Sequence, residues 1–354
     1  MGDDTSALVI VEKLVRQAEQ AGASDVHLHM THTGAQVAFR LDGVLTTIST
    51  IDGETAERVF GRIKYLARLK TYQDSLPQDG RINKADTGTR HDIRVATYPT
   101  VTGEKIVLRL FNESSTRNLD ALGLPSSVCD QLQSFLSRPS GLLLLTGPAG
   151  SGKTTTIYAC LRHLAARGGR HIITVEDPVE QVIPGIMQTE INEARGLTFS
   201  KAARHLLRQD PQVLVIGEIR DDETANIAVR AALTGHMVIS TIHAGSCRGV
   251  WERLLVMCDD QYAVVSVTDL VLNQRLIRRV CPDCGGIRCE SCLQTGYKGS
   301  VPMVEWVRMT DALRHQVRDR GIEAINPPVT LTDAARELVA RGVTTDSEAK
   351  RVTA

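Results

Sequence analysis

Eight consecutive residues, Gly147-Pro148-Ala149-Gly150-Ser151-Gly152-Lys153-Thr154, have the spacing G-x-x-x-x-G-K-[ST] of a phosphate-binding loop. Glycines at these places let a backbone turn its N–H groups toward nucleotide phosphates. Lys153 then approaches the β- and γ-phosphates, and the Thr154 hydroxyl ligates magnesium. The flanks agree with this chemistry: the apolar run Leu142 to Leu145 leads in as a strand, and a helix over residues 154–164, with Thr155 in its first turn, leads out. A chance match in a chain of this composition is on the order of one in a hundred, before that context is required. The motif therefore reads as a nucleotide site.

Binding alone is not turnover. Hydrolysis also needs a carboxylate near magnesium and a group that orients water. Two apolar runs stop at acids: Ile172-Ile-Thr-Val-Glu176-Asp177-Pro178, and Val213-Leu-Val-Ile-Gly217-Glu218-Ile-Arg220-Asp221. Ligands gather beyond the carboxyl ends of parallel strands, so both acids are expected to face the loop. A further strand, Val238 to Ile242, is bounded by His236 and His243. A histidine at a strand end can donate to a phosphate oxygen or sense its loss.

Cys281-Pro-Asp-Cys284 and Cys289-Glu-Ser-Cys292 are two C-x-x-C pairs, four residues apart, with Gly285-Gly286 between them. Each pair can set two thiolates on one ion through a tight turn, and two pairs complete a tetrahedron. Four protein ligands leave no open position for water, so structural zinc is expected in preference to an iron–sulfur cluster or redox thiols. Cys129, Cys160, Cys247 and Cys258 stand alone and read as small packing residues.

The elements that must position these groups fall into two blocks. Residues 5–22 have helical apolar spacing at Leu8, Val11, Leu14, Val15 and Ala18. Strands are expected at residues 26–29 and 36–41, the second entering a turn at Asp42-Gly43. A helix over 54–69 and strands over 90–96 and 105–111 complete a small mixed α/β domain of residues 1–112. The polar stretch 113–119 is the expected linker. Beyond it, apolar strands at 142–145, 172–175, 213–216 and 238–242 alternate with helices, the grammar of parallel βαβ units. The second domain is expected to run over residues 120–354, with a cysteine-bearing insert at 275–305 and mostly charged helix from 308 onward.

Composition bounds the remaining choices. A length of 354 residues corresponds to about 2.4 domains. Lys+Arg and Asp+Glu are both 41, so the net charge is zero and gives no general reason to expect nucleic acid or an anionic membrane as the ligand. No uninterrupted apolar run approaches the roughly 20 residues that span a bilayer. The start, MGDDTSALVIVEKL, has no basic region before its apolar stretch, so a signal peptide is not expected.

Taken in order, the motifs resemble the secretion ATPase superfamily, specifically the motors of type II secretion and type IV pilus assembly. The resemblance runs from Ala23-Ser-Asp-Val-His27 to about Val307. GPAGSGKTTT resembles the Walker A segment, TVEDPVE (174–180) the aspartate box, QDPQVLVIGEIRDDETANIA (209–228) the Walker B segment and TGHMVISTIHA (234–244) the histidine box. SDVHLH, FRLDGVL (39–45), LPQDGRI (76–82) and RVATYPTVTGEKIVLRL (94–110) resemble the PAS-like domain that precedes the motor. The cysteine pairs followed by TGYKG (295–299) resemble the tetracysteine zinc module of assembly-type enzymes.

The resemblance implies a RecA-like P-loop ATPase core preceded by a small PAS-like α/β domain, with ATP, Mg2+ and Zn2+ as cofactors. It implies that Glu176 polarises the attacking water, that Glu218 helps hold magnesium, and that His243 and His236 contact the γ-phosphate. Arg81, Arg94 and Arg109 fall where the family's arginines reach the nucleotide from the first domain, and guanidinium groups suit a transferring phosphoryl group. The implied assembly is a cytoplasmic homo-hexamer at the inner face of the inner membrane. It would drive a platform protein and, through it, pilin-like subunits. The chain reads as a short form without the extra N-terminal docking domain. One alternative keeps the fold as a pilus retraction motor, against which the tetracysteine stands. Another is a zinc-bearing nucleic-acid translocase using Arg275, Arg278, Arg279, Arg288 and Lys298. Interleaved Asp283 and Glu290, zero net charge and 4% aromatic content weigh against it. A third reading is an interaction module that binds ATP without hydrolysing it.

Overall fold

The computed structural model describes residues 6–110 and 117–353. Residues 113–116 of the expected linker, and Phe111 of an expected strand, lie outside the described residues. Contacts divide the chain into two compact units, and the first takes in Arg278–Ser300 as well as the N-terminal residues. The sequence reading attaches this cysteine segment to the second domain. Here Leu293 packs against the first unit's apolar core, and the Gly299 N–H donates to Asp42 Oδ2 at 2.9 Å.

The first unit runs α1 (Ala7–Gln20), β1 (Asp25–Thr31), β2 (Gly34–Leu41), β3 (Val44–Asp52), α2 (Gly53–Leu66), β4 (Gln78–Ile82), α3 (Lys84–Thr87), β5 (Ile93–Thr100) and β6 (Gly103–Arg109). Its six strands take the order β3-β2-β1-β6-β5-β4, every pairing antiparallel. Ser6 caps α1 and Asp52 caps α2, each accepting an amide N–H of the first turn. Val11, Leu14, Val15 and Ala18 of α1 are buried at the expected spacing, while Leu8 turns outward. They share a core with Val59, Phe60 and Ile63 of α2 and with Val26, Leu28, Phe39, Val95, Ile106 and Leu108 of the strands. Each fully buried side chain of this size contributes about 1.5–3 kcal/mol. Asp42-Gly43 makes the β2–β3 turn with φ of 48° and 84°, the left-handed pair that a two-residue hairpin requires.

The second unit runs α4 (Ser126–Leu136), β7 (Gly141–Thr146), α5 (Lys153–Arg167), β8 (Ile172–Glu176), β9 (Met187–Glu190), α6 (Phe199–Leu206), β10 (Val213–Ile219), α7 (Asp222–Leu233), β11 (Met237–Ile242), α8 (Cys247–Met257), α9 (Gln261–Val267), β12 (Thr268–Val280, its first ten residues in this unit), β13 (Tyr297–Arg308, its last eight residues in this unit), α10 (Asp311–Arg320), α11 (Leu331–Ala340) and α12 (Asp346–Thr353). Its sheet has the order β13-β12-β7-β11-β10-β8-β9, parallel from β12 through β9. The four expected strands coincide with β7, β8, β10 and β11. Their runs are apolar without alternation because both faces are covered. Leu142 and Leu144 pack in one core with α6–α9, and Leu143 and Leu145 in another with α4 and α5. The charged C-terminal stretch resolves into α10, α11 and α12.

Candidate nucleotide site and tetracysteine cluster

β7 delivers the chain to the loop 147–152, and α5 begins at Lys153. No side chain caps α5 at Gly152, so the unpaired N–H groups and positive end of a 15-residue helix face the loop. This is a cradle for phosphate. Gly147, Gly150 and Gly152 have φ of 133°, 73° and 88°. A Cβ on Gly147 would lie 2.2 Å from the backbone oxygen of Gln274, and one on Gly152 2.6 Å from the Gln274 amide nitrogen. Gln274 itself is buried in β12. Its Nε2 donates to Ser151 O at 2.9 Å, and its Oε1 accepts the Thr156 hydroxyl at 2.9 Å. One side chain thus clamps the loop to its following helix. Lys153 Nζ donates to Gly147 O at 2.8 Å and Pro148 O at 2.9 Å. Burial holds its ammonium below the usual lysine range; Glu218 opposes that shift and Arg275 adds to it. Pro148, Ala149 and Thr154 are exposed at the mouth of the loop.

The carboxyl ends of the neighbouring strands supply the other groups. His243 follows β11, and its Nε2 lies 2.8 Å from Glu218 Oε1 near the end of β10. Arg220 Nε donates to the other Glu218 oxygen at 2.8 Å, and its Nη1 lies 3.5 Å from Asp177. Thr146 fixes the turn after His243, donating to Ala244 O at 2.9 Å and accepting the Ala244 N–H at 2.8 Å. Glu176 ends β8, three strands from β7 and so about 14 Å across the sheet. It is 7% exposed and accepts from Tyr158, from Thr174 Oγ1 at 2.5 Å and from Gln188 Nε2 at 3.0 Å.

The two histidines part company. His236 precedes β11, and its backbone oxygen accepts the N–H of Gly141, where β7 begins. It therefore lies at the sheet edge opposite the phosphate loop, about 20 Å along a six-residue strand from His243. Its Nδ1 is 2.9 Å from Ala231 O. Within one chain the geometry assigns His236 no place beside the phosphates.

The three arginines share one row in the first unit. Register sets Arg81 opposite Arg94, Arg94 opposite Arg109, Arg109 opposite Asp25 and Asp25 opposite Arg40. Paired positions share a face, and this is the face away from the apolar core. Like charges on adjacent strands repel. Asp25, 4% exposed, answers part of that charge at 3.0 Å from Arg109 Nε and 3.4 Å from Arg40 Nε. Asp92 lies 2.5 Å from Arg81. Asp25 and Asp92 thus pair with three of the four arginines in this row, and Arg40 joins the three that the sequence singles out.

The thiols of Cys281, Cys284, Cys289 and Cys292 all lie within 4.8 Å of one another. Cys281–Cys289 and Cys284–Cys292 are each 4.0 Å apart, and Cys289–Cys292 3.7 Å. A Zn–S distance of about 2.3 Å makes the edges of a sulfur tetrahedron about 3.8 Å, whereas a disulfide needs about 2.05 Å. The spacing fits an ion. Cys292 Sγ also accepts the N–H groups of Cys289 and Gly296, both at 3.3 Å, which favours its thiolate.

Comparison with known proteins gives a consistent picture. The family model described as Type II/IV secretion system protein matches residues 2–351. The type II secretion system ATPase E of Vibrio cholerae is 36% identical over 385 residues, covering 99% of this chain and 76% of that protein. The type IV pilus assembly ATPase PilB of Thermus thermophilus is 37% identical over 89% of this chain and 38% of its own length. Among solved structures, the ATPase DotB of Legionella pneumophila shares the fold with a TM-score of 0.75. That match has 20% identity and covers 97% of this chain and 95% of that one.

Proposed function

Because the chain belongs to the type II/IV secretion system protein family and is one of its ATPases, we propose that it is the hexameric motor of a type II secretion or type IV pilus assembly machine. In this reading it acts on the cytoplasmic side of the inner membrane, through a platform protein that adds pilin-like subunits. No helix among the described residues is long and apolar enough to cross a membrane. The first unit is read as PAS-like and the second as RecA-like.

The reading rests on one observation above others: Lys153, Glu218 and His243 converge at the carboxyl ends of β7, β10 and β11. Residues 147–155 would hold ATP, with Thr154 and Glu218 toward magnesium, which when bound offsets charge on the β- and γ-phosphates. Arg220 and His243 fix Glu218 in place. Glu176 would orient the attacking water, and His243 would register the γ-phosphate. Arg81, Arg94 and Arg109 would stabilise charge on the transferring phosphoryl group. The four thiols would hold zinc and stiffen the segment 281–292.

Magnesium-dependent ATP turnover with light scattering tests this. Lys153→Ala is expected to abolish nucleotide binding, and the parent chain to reach a sixfold mass with ATP. Full turnover by a monomer would overturn the motor reading.

A further inference from the structure

Glu176 is tied into the protein more tightly than proximity to a nucleotide requires. Its Oε2 accepts the hydroxyl of Tyr158 from α5, while its Oε1 accepts from Thr174 and, out of β9, from Gln188. Tyr158 is 1% exposed. Its oxygen also accepts the N–H groups of Glu180 at 3.0 Å and Gln181 at 3.2 Å, so the phenol bridges the carboxylate to the loop that follows it. Burial, helped by the bond to Glu176, pushes the phenol above its usual range and keeps it a donor. Tyr158 stands five residues beyond Lys153 on the same helix, about 7.5 Å along its axis.

A carboxylate buried among apolar strands needs donors in place of its lost water. The ionisable groups around it are Tyr158 and Arg162 on α5, Asp177 and Glu180 in the following loop, Glu190 on β9, and Glu218 and Arg220 at the end of β10. Of these, Tyr158 supplies a direct hydrogen bond and a rigid path back to the phosphate loop.

We propose that Tyr158 is a positioning residue for hydrolysis, holding the Glu176 carboxylate aimed and in register with the helix that carries Lys153. The proposal rests on Glu176 as the water-orienting carboxylate.

Tyr158→Phe in the full chain tests it. ATP affinity and KM should stay within about threefold, while kcat should fall at least about tenfold. A purely structural tyrosine would lower the melting temperature and leave kcat of the folded chain in place, and that result would overturn the proposal. Should this variant fail to fold, 3-fluorotyrosine in place of Tyr158 keeps the shape and strengthens the donor. Then kcat should change while KM holds, and an unchanged kcat would count against the idea. Glu176→Gln separates the two levels. If it still turns over ATP, the reading of Glu176 fails; if it does not, while Tyr158→Phe is unaffected, the Tyr158 proposal alone fails.

Discussion

A single methyl group added at Gly147 should cost far more than one added at Gly150, although both glycines lie in the same loop with positive φ. At Gly147 the new Cβ would stand 2.2 Å from the backbone oxygen of Gln274, about 1 Å inside an ordinary carbon–oxygen contact. That oxygen belongs to β12, which is paired in register with β7 through Asn273 and Thr146, so it cannot swing aside. Its φ of 133° is also one that residues with a Cβ rarely adopt. Backbone strain of about 1–3 kcal/mol and overpacking of about 1–3 kcal/mol give roughly 2–6 kcal/mol, centred near 4. At Gly150 nothing lies within 4 Å, and only the left-handed conformation is penalised, by about 1–2 kcal/mol. Tryptophan fluorescence during urea denaturation reads this well, because both tryptophans, Trp251 and Trp306, belong to the second unit. Gly147→Ala should fall below Gly150→Ala by about 2–3 kcal/mol. Equal losses, within about 0.5 kcal/mol, would refute the close approach of β12 to the loop.

Three further outcomes are expected. Metal analysis should find about one zinc per chain, and Cys289→Ser should lose it; a well-folded chain without metal would contradict the cluster assignment. His243→Ala should lower turnover at least about tenfold while His236→Ala stays within about twofold, as their opposite sheet edges require; the reverse order would contradict that placement. Asp25→Asn should destabilise the first unit by about 1–2 kcal/mol, after discounting for the exposure of Arg40 and Arg109. Circular dichroism melts should show that loss shrinking as salt is added, whereas a salt-independent loss would speak against charge crowding in the row.

The groups that were legible in the sequence carry their information locally. The phosphate loop announces itself by glycine spacing, and β7, β8, β10 and β11 by apolar runs that only a sheet covered on both faces permits. Local pattern failed where exposure or register decides. β3 (Val44–Asp52) alternates half-exposed and exposed positions and is rich in threonine, so it carries no strong apolar signal. β4 holds a glycine among charged residues. Gln274 stands between Asn273 and Arg275 and Tyr158 among apolar neighbours, and their partners lie 123 and 18 residues away. Arg81, Arg94 and Arg109 become neighbours only through antiparallel register. His236 and His243 bracket one strand symmetrically in sequence, and only strand direction tells which end faces the nucleotide.

The central claim is that the Lys153 loop and the acids at the strand ends form one hydrolytic centre. Its most direct test is the chemical state of the nucleotide recovered from Glu176→Gln after incubation with magnesium and ATP. The account predicts that this variant binds as the parent does and retains intact ATP, while the parent yields ADP. Recovery of ADP from the variant at the parent rate would contradict it.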